Sequence, residues 1–176
     1  MKRITAALLA MAAMTSPAHA SDFVGGWLIQ PVEEDPGFCS AFAEFGPGNY
    51  ILIRFNAKTG QSLVAIRNPD VTSLKDGDTI KIDIGMLNAR GGVIDEYEGI
   101  NFLVLVTKEM KGTILRSSYL EEFLPLVAKA DSLAFAYDER PVGRYNMNGS
   151  ARMTVALRNC SIRINGLNPR DPFLPR

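Results

Sequence analysis

The chain has 176 residues, of which 47% are apolar, and its 19 Lys and Arg residues balance 19 Asp and Glu residues. This length and composition are typical of one globular domain and exclude a chain that is disordered throughout. The balanced charge excludes a general electrostatic attraction of the whole chain to nucleic acid or to anionic membranes.

The first twenty residues are typical of a cleavable secretory signal. Lys2 and Arg3 precede an apolar run over residues 4–14, and Ala18-His19-Ala20 has the small-x-small pattern that a signal peptidase reads. The run is about 11 residues long, whereas crossing the hydrocarbon core of a bilayer takes roughly 20. We therefore expect residues 1–20 to be removed before Ser21, leaving a periplasmic or secreted chain without a transmembrane segment.

Cleavage would change both the charge and the chemistry of the chain. It removes two cations, so 17 Lys and Arg residues face 19 Asp and Glu residues and the net charge falls to about −2. It also removes His19, the single histidine of the chain. A mature chain without imidazole has no Ser-His-Asp or Cys-His nucleophile. It also lacks the histidine ligands that nearly all known catalytic zinc sites use. We expect no cofactor, no bound metal and no nucleic-acid partner.

Most of the remaining chain is predicted to form short strands that are separated by turns rich in Gly, Pro and Asn. The first predicted strand buries Trp27, the only tryptophan, and the next two form a hairpin around Gly46-Pro47-Gly48-Asn49. Residues 102–106 are apolar throughout, which indicates a central strand that is covered on both faces. The predicted strands are residues 23–29, 39–45, 50–56, 62–68, 80–84, 93–97, 102–106, 132–137 and 143–147.

One segment after residue 117 has helical periodicity. Apolar residues recur at helical spacing from Leu120 to Ala128, and Ser118 with Glu121 matches a capping box. Pro125 interrupts this pattern, because an internal proline removes a backbone hydrogen bond and clashes one turn back. The helix therefore either bends at Pro125 or begins later than the capping box indicates.

A second helix opens after the turn Asn148-Gly149-Ser150. It places Cys160 on an apolar face together with Met153, Ala156 and Leu157. Residues 166–176 contain three prolines and have neither helical nor strand periodicity in their apolar residues, so we expect a loose tail. The expected fold is a single domain over residues 21–165, mainly β with two helices, arranged as an antiparallel β-sandwich or half-barrel.

Cys39 and Cys160 are the only cysteines. In an exported chain, an even number of cysteines indicates a disulfide, which here would tie the first strands to the last helix. A redox role is the competing hypothesis, but catalytic pairs lie about one helical turn apart, and these two are far apart in sequence.

Two acidic clusters are the remaining candidates for chemistry. Glu33-Glu34-Asp35 lies in a proline-bounded loop and is typical of a solvated edge. The second cluster, Asp95-Glu96-Glu98, lies on a short predicted hairpin arm that places Glu96 and Glu98 on one face. These two residues could bind a hard cation or serve as the carboxylate pair of a glycosidase, whose members stand about 5 to 9 Å apart. Tyr50, Phe55, Tyr137 and Tyr145 could form an aromatic ligand platform, but core and edge packing is the favoured interpretation for most of them.

Four motifs follow one another along the predicted elements: Leu74-x-x-Gly77 before an alternating strand, Leu120-x-x-Phe123-Leu124, Asp131-Ser132-Leu133-Ala134-Phe135, and Asn148-Gly149-Ser150 before the closing helix. In this order of elements the chain resembles the invasion-associated locus B family and small exported alphaproteobacterial proteins. The resemblance implies a periplasmic β-sandwich-like domain without known catalytic residues, sometimes linked to host-cell entry. The family's cysteine pair in the central hairpin is missing from residues 86–98, so its disulfide scheme is not carried over.

These observations favour an exported protein that binds an envelope or extracellular partner and has no catalytic activity. One alternative is a carboxylate-dependent hydrolase of cell-wall glycan, with Glu96 and Glu98 as its acids. Another is a purely structural protein of the envelope.

Overall fold

The computed structural model describes residues 21–107, 112–172 and 174, so the predicted signal at residues 1–20 lies outside it. The domain is mainly antiparallel β with two helices, as the sequence predicts. The ten strands of the described residues form one sheet in the order β1-β2-β3-β4-β5-β8-β7-β6-β9-β10. The elements are β1 (Asp22–Val24), β2 (Trp27–Pro31), β3 (Cys39–Glu44), β4 (Tyr50–Phe55), β5 (Ser62–Arg67), β6 (Thr79–Leu87), β7 (Val93–Thr107), β8 (Gly112–Ser117), α1 (Phe123–Val127), β9 (Ser132–Tyr137), β10 (Arg140–Asn146) and α2 (Ser150–Ile164).

The first predicted strand is in fact a tight hairpin. Residues 23–29 were expected to run straight, but Gly25 and Gly26 have φ angles of +62° and +90° and turn β1 back onto β2. Glycine adopts positive φ angles without steric cost, so a Gly-Gly step favours a two-residue hairpin turn. The predicted burial of Trp27 is confirmed, since its side chain is 2% exposed.

The centre of the sheet differs from the prediction in two ways. The predicted strands 93–97 and 102–106 are parts of one strand, β7, which pairs with β6 on one side and β8 on the other. A bulge at Gly99, whose N–H donates to Asp83 Oδ1 at 2.7 Å, lets β7 bend without ending. β8 was not predicted, because its only large apolar residues are Ile114 and Leu115, too few to show alternation.

The first helix is shorter than the apolar stripe indicates. Ser118 and Leu120 are still bound to strands, with their N–H groups donating to Asn101 O at 2.8 Å and Ser62 O at 2.7 Å. The capping-box expectation at Ser118 is therefore wrong, and α1 begins at Phe123. Pro125 lies in the first turn of the helix, where its missing N–H costs nothing.

The sheet curls until its two ends approach each other. The rings of Phe45, just after β3, and Tyr145 of β10 have centroids 5.3 Å apart. Asn68 Nδ2, just after β5, donates to the carbonyl of Val142 in β10 at 2.6 Å. This curling encloses the core between the two halves of the sheet.

Helix α2 closes the concave side and packs mainly on β2 and β3. Its predicted apolar face is confirmed, because Met153, Leu157 and Cys160 are all buried. The predicted disulfide is also confirmed, with Cys39 of β3 and Cys160 of α2 bonded across a Cα–Cα distance of 6.0 Å. The helix that follows the last strand is thus held covalently to the third.

Candidate functional site

The structure places the predicted carboxylates on the surface. Glu96 and Glu98 are exposed on β7, and Glu33 and Glu34 are exposed in the loop between β2 and β3. Among the residues that the structure describes, no group of three or more His, Cys, Asp or Glu side chains could hold a metal ion. Nothing in this arrangement therefore adds support to a cation site at Glu96 and Glu98.

Glu96 and Glu98 line neither of two grooves that open on the described surface. The larger, of about 570 Å³, brings together Thr59, Gly60, Glu121, Glu122, Pro125, Leu126 and Lys129. The smaller, of about 470 Å³, is lined by Asn88, Ala89, Asp131, Ser132, Arg144, Asn146 and Asn148. The carboxylates in the larger groove are neighbours in the chain that share it with the Lys129 cation.

The proposed aromatic platform is divided between the core and the surface. Phe55 and Tyr145 are buried in the core, so packing accounts for both. Tyr137 is 40% exposed at the end of β9, and Tyr50 is half-buried on β4. These four residues do not form one surface.

A larger feature is the convex side of strands β1 to β5, β8 and β7. Residues paired across neighbouring antiparallel strands point to the same side of a sheet, so the register identifies which residues share this side. We call this side the outer face. It consists of Phe23, Leu28, Gln30, Ser40, Phe42, Glu44, Tyr50, Leu52, Arg54, Leu63, Ala65, Arg67, Leu103, Leu105, Ile114 and Arg116.

The outer face is apolar along its centre. One register row crosses seven strands and is apolar except for one arginine: Phe23, Leu28, Phe42, Leu52, Ala65, Arg116 and Leu103. Phe23 is 75% exposed, Ala65 is buried, and the other apolar members of the row are half-buried. Phe42 packs on Tyr50 with ring centroids 5.3 Å apart. None of the row belongs to the core cluster of the described chain or packs against it. Large apolar side chains therefore line both sides of this half of the sheet.

The other half of the convex side has a different character. Its register-matched residues on β6, β9 and β10 are mostly polar or small, with Leu87 as the large apolar exception: Thr79, Lys81, Asp83, Gly85, Leu87, Ser132, Ala134, Ala136, Pro141, Arg144 and Asn146. An antiparallel sheet commonly packs one side on the core and leaves the other solvated and polar. This half follows that rule, and the outer face breaks it.

Three arginines stand among the apolar side chains of the outer face. Arg54 is half-buried, and its Nε atom is buried without a hydrogen-bond partner among the described residues. The Arg67 guanidinium donates to the carbonyl of Gly48, and Arg116 is exposed. On ordinary sheet spacings, Arg116 lies roughly 8 Å from Arg67 and roughly 12 Å from Arg54.

The acidic residues of the outer face offset these cations only in part. Glu44 is the one acid in the set that defines the outer face, and its Oε1 accepts the N–H of Gly48 at 3.1 Å. Burial raises the pKa of Tyr50, and the nearby Arg67 charge lowers it in part, so this phenol is neutral at pH 7. The outer face is therefore apolar and locally cationic, on a chain whose total charge is balanced.

No match to this chain is found among protein-family models, curated proteins or solved structures. Neither helix in the described residues is long and apolar enough to cross a membrane. The class that the observations define is a curled antiparallel β domain with one internal disulfide and an apolar, arginine-bearing outer face.

Proposed function

We propose that this protein is an exported binding domain of the bacterial envelope, that it has no catalytic activity, and that the outer face is its binding surface. The observation that carries the proposal is the apolar register row from Phe23 to Leu103. Phe23 is exposed at one end of this row, and the half-buried side chains of Leu28, Phe42, Leu52 and Leu103 still reach solvent. Apolar side chains that reach solvent side by side on a soluble protein are typical of interaction sites. The predicted signal and the disulfide support the exported location.

The geometry of the outer face favours recognition by side chains. Strands β2 to β5 and β8 are each paired on both sides, so their backbone N–H and C=O groups are already bound within the sheet. A partner on this face would meet phenylalanine, leucine and arginine side chains. Such a convex surface suits a broad partner better than an enclosed small molecule, since small ligands bind in concave sites.

The two alternatives have less support. A glycan hydrolase would use Glu96 and Glu98, and these lie exposed on β7 outside both grooves. A purely structural envelope protein would need to self-associate, and a cationic face does not match itself in charge. A role in host association rests on the resemblance to the invasion-associated locus B family, which stays a prediction.

A photo-crosslinking experiment tests the binding surface. A photoreactive amino acid is placed at position 23 or 116 on the outer face, or at position 155 or 152 on α2, in the full chain expressed with its leader. Val155 is 60% exposed and Arg152 is exposed, so they match Phe23 and Arg116 in chemistry and exposure. We expect adducts from positions 23 and 116 and not from the two control positions. Equal yields from all four positions, or no adducts at all, would overturn the proposal.

A further inference from the structure

We propose, resting on the proposed function above, that the partner of the outer face is a membrane surface that contains anionic phospholipid. In this arrangement the domain lies with its outer face on the bilayer. Phe23 and the leucines contact the hydrocarbon boundary, while Arg54 and Arg116 bind headgroup phosphates.

The charge distribution is the first reason for this choice. The outer face holds three arginines and one acid, so cations outnumber the acid; Arg116 is exposed, Arg54 is half-buried and Arg67 is buried. Juxtamembrane cations are attracted to anionic headgroups within a Debye length of the surface, so the local patch matters and the total charge does not. A face that presents cations to a surface of phosphates is complementary to it.

The scarcity of directional hydrogen-bonding groups is the second reason. Protein interfaces carry about one hydrogen bond per 100–200 Å². On the outer face, Ser40 is buried with its hydroxyl directed to the carbonyl of Gln30, and apart from the arginines and Glu44 only Gln30 and Tyr50 offer polar side-chain atoms. Apolar side chains with interspersed cations fit a partner that supplies hydrocarbon and phosphate.

The position of Phe23 is the third reason. It lies on the edge strand β1, in register with Leu28 at the end of the apolar row, and is the most exposed large apolar side chain among the described residues. An aromatic ring at the margin of a cationic apolar face is placed to enter the interface between headgroups and acyl chains, as in peripheral membrane anchors. The remaining row then lies against the same surface.

Vesicle flotation tests the proposal with the full chain expressed with its leader and purified from the envelope in oxidised form. Vesicles of phosphatidylcholine with phosphatidylglycerol are compared with vesicles of phosphatidylcholine alone. We expect binding to the anionic vesicles that weakens as salt is raised, because exposed charges are screened. R116Q is expected to weaken binding about fivefold and F23S about tenfold. The α2 variants R152Q and V155S should bind as the unchanged protein does.

The outcomes separate this inference from the proposed function. No binding to anionic vesicles, or equal binding to both vesicle types, would overturn the lipid assignment. Equal losses in the outer-face and α2 variants would overturn it as well. If crosslinks from positions 23 and 116 go to an acidic protein or to a second copy of the chain, the lipid assignment fails and the binding surface stands. Circular dichroism of each variant confirms that it is folded.

Discussion

The backbones of Gly25 and Gly149 lie in direct contact, so the β1–β2 turn rests on the residue that precedes α2. A Cβ atom at position 149 would come within 2.4 Å of the Gly25 carbonyl oxygen, and one at position 25 within 3.0 Å of the Gly149 oxygen. Both residues also have positive φ angles, +62° and +82°. This contact leaves no room for a side chain at position 149.

We expect Gly149→Ala to lower the free energy of unfolding by about 2 to 4 kcal/mol, because it combines a positive φ with a backbone clash. Gly26→Ala is the matched control, since Gly26 also has a positive φ but has nothing within 4 Å of the added methyl group. It should cost only about 1 kcal/mol. Urea unfolding followed by Trp27 fluorescence measures both variants. Equal losses would show that the contact with Gly25 adds nothing.

The Cys39–Cys160 disulfide spans 121 residues of sequence. Loop closure of this length is expected to stabilise the fold by about 2 to 5 kcal/mol. Reduction by dithiothreitol should therefore lower the urea midpoint of the unchanged protein. The double variant C39A/C160A should have the low midpoint from the start and not respond to the reductant. A response of the double variant would mean that the reductant acts elsewhere.

Ser161 and Ser62 are both fully buried serines with different surroundings. Ser161 Oγ accepts the N–H of Ala57 at 2.8 Å and donates to the carbonyl of Gly37 at 2.9 Å. Ser62 Oγ has no hydrogen-bond partner among the described residues. We expect Ser161→Ala to cost about 1 to 3 kcal/mol by leaving the Ala57 N–H unsatisfied, and Ser62→Ala to be neutral or stabilising. Thermal unfolding compares the two, and the opposite order would contradict these hydrogen-bond assignments.

Tyr145 is fully buried among aromatic rings, and its hydroxyl has no hydrogen-bond partner in the part of the chain that the structure describes. Burial raises the pKa of Tyr145 from 10.0 to about 12. The unfolded chain thus ionises this phenol first, so stability should be intact below pH 10 and fall as the pH rises toward 12.

Tyr145→Phe removes both the unsatisfied hydroxyl and its ionisation. We expect this variant to be more stable at pH 7 by about 1 kcal/mol and to lose less stability between pH 10 and 12. Part of the pH dependence should persist, because burial and the charges of Asp95 and Glu122 also raise the pKa of Tyr97 to about 12. Measuring the free energy of unfolding of Tyr145→Phe and of the unchanged protein at several pH values tests this prediction. An unchanged alkaline profile would exclude Tyr145 as a source.

The local sequence pattern was sufficient to predict the hairpin of β3 and β4 and the apolar face of α2. The number of cysteines in a chain with a predicted signal was sufficient to predict the disulfide. The local pattern was insufficient at Ser118, because a capping box is a local signal and pairing of Ser118 and Leu120 with distant strands prevailed. The bulge at Gly99 was not predicted either. Two strand patterns on either side of a glycine look the same whether the first strand ends there or continues through a bulge.

The disulfide was the one predicted site feature that the structure brings together. The outer face was not predicted, although its signal is present: strands such as Tyr50–Phe55 and Ser62–Arg67 carry apolar residues at both odd and even positions. Recognising it also requires the register that aligns Phe23, Leu28, Phe42 and Leu52. That register depends on pairing between strands, which no single strand's sequence specifies.

The two edges of the sheet are poor templates for a further strand. β1 is only three residues long, and β10 contains Pro141, which has no N–H to donate, followed by a shift in register before Gly143. Short, proline-bearing and irregular edges hinder strand addition and fibre growth. A protein with an apolar outer face can therefore accumulate without polymerising edge to edge.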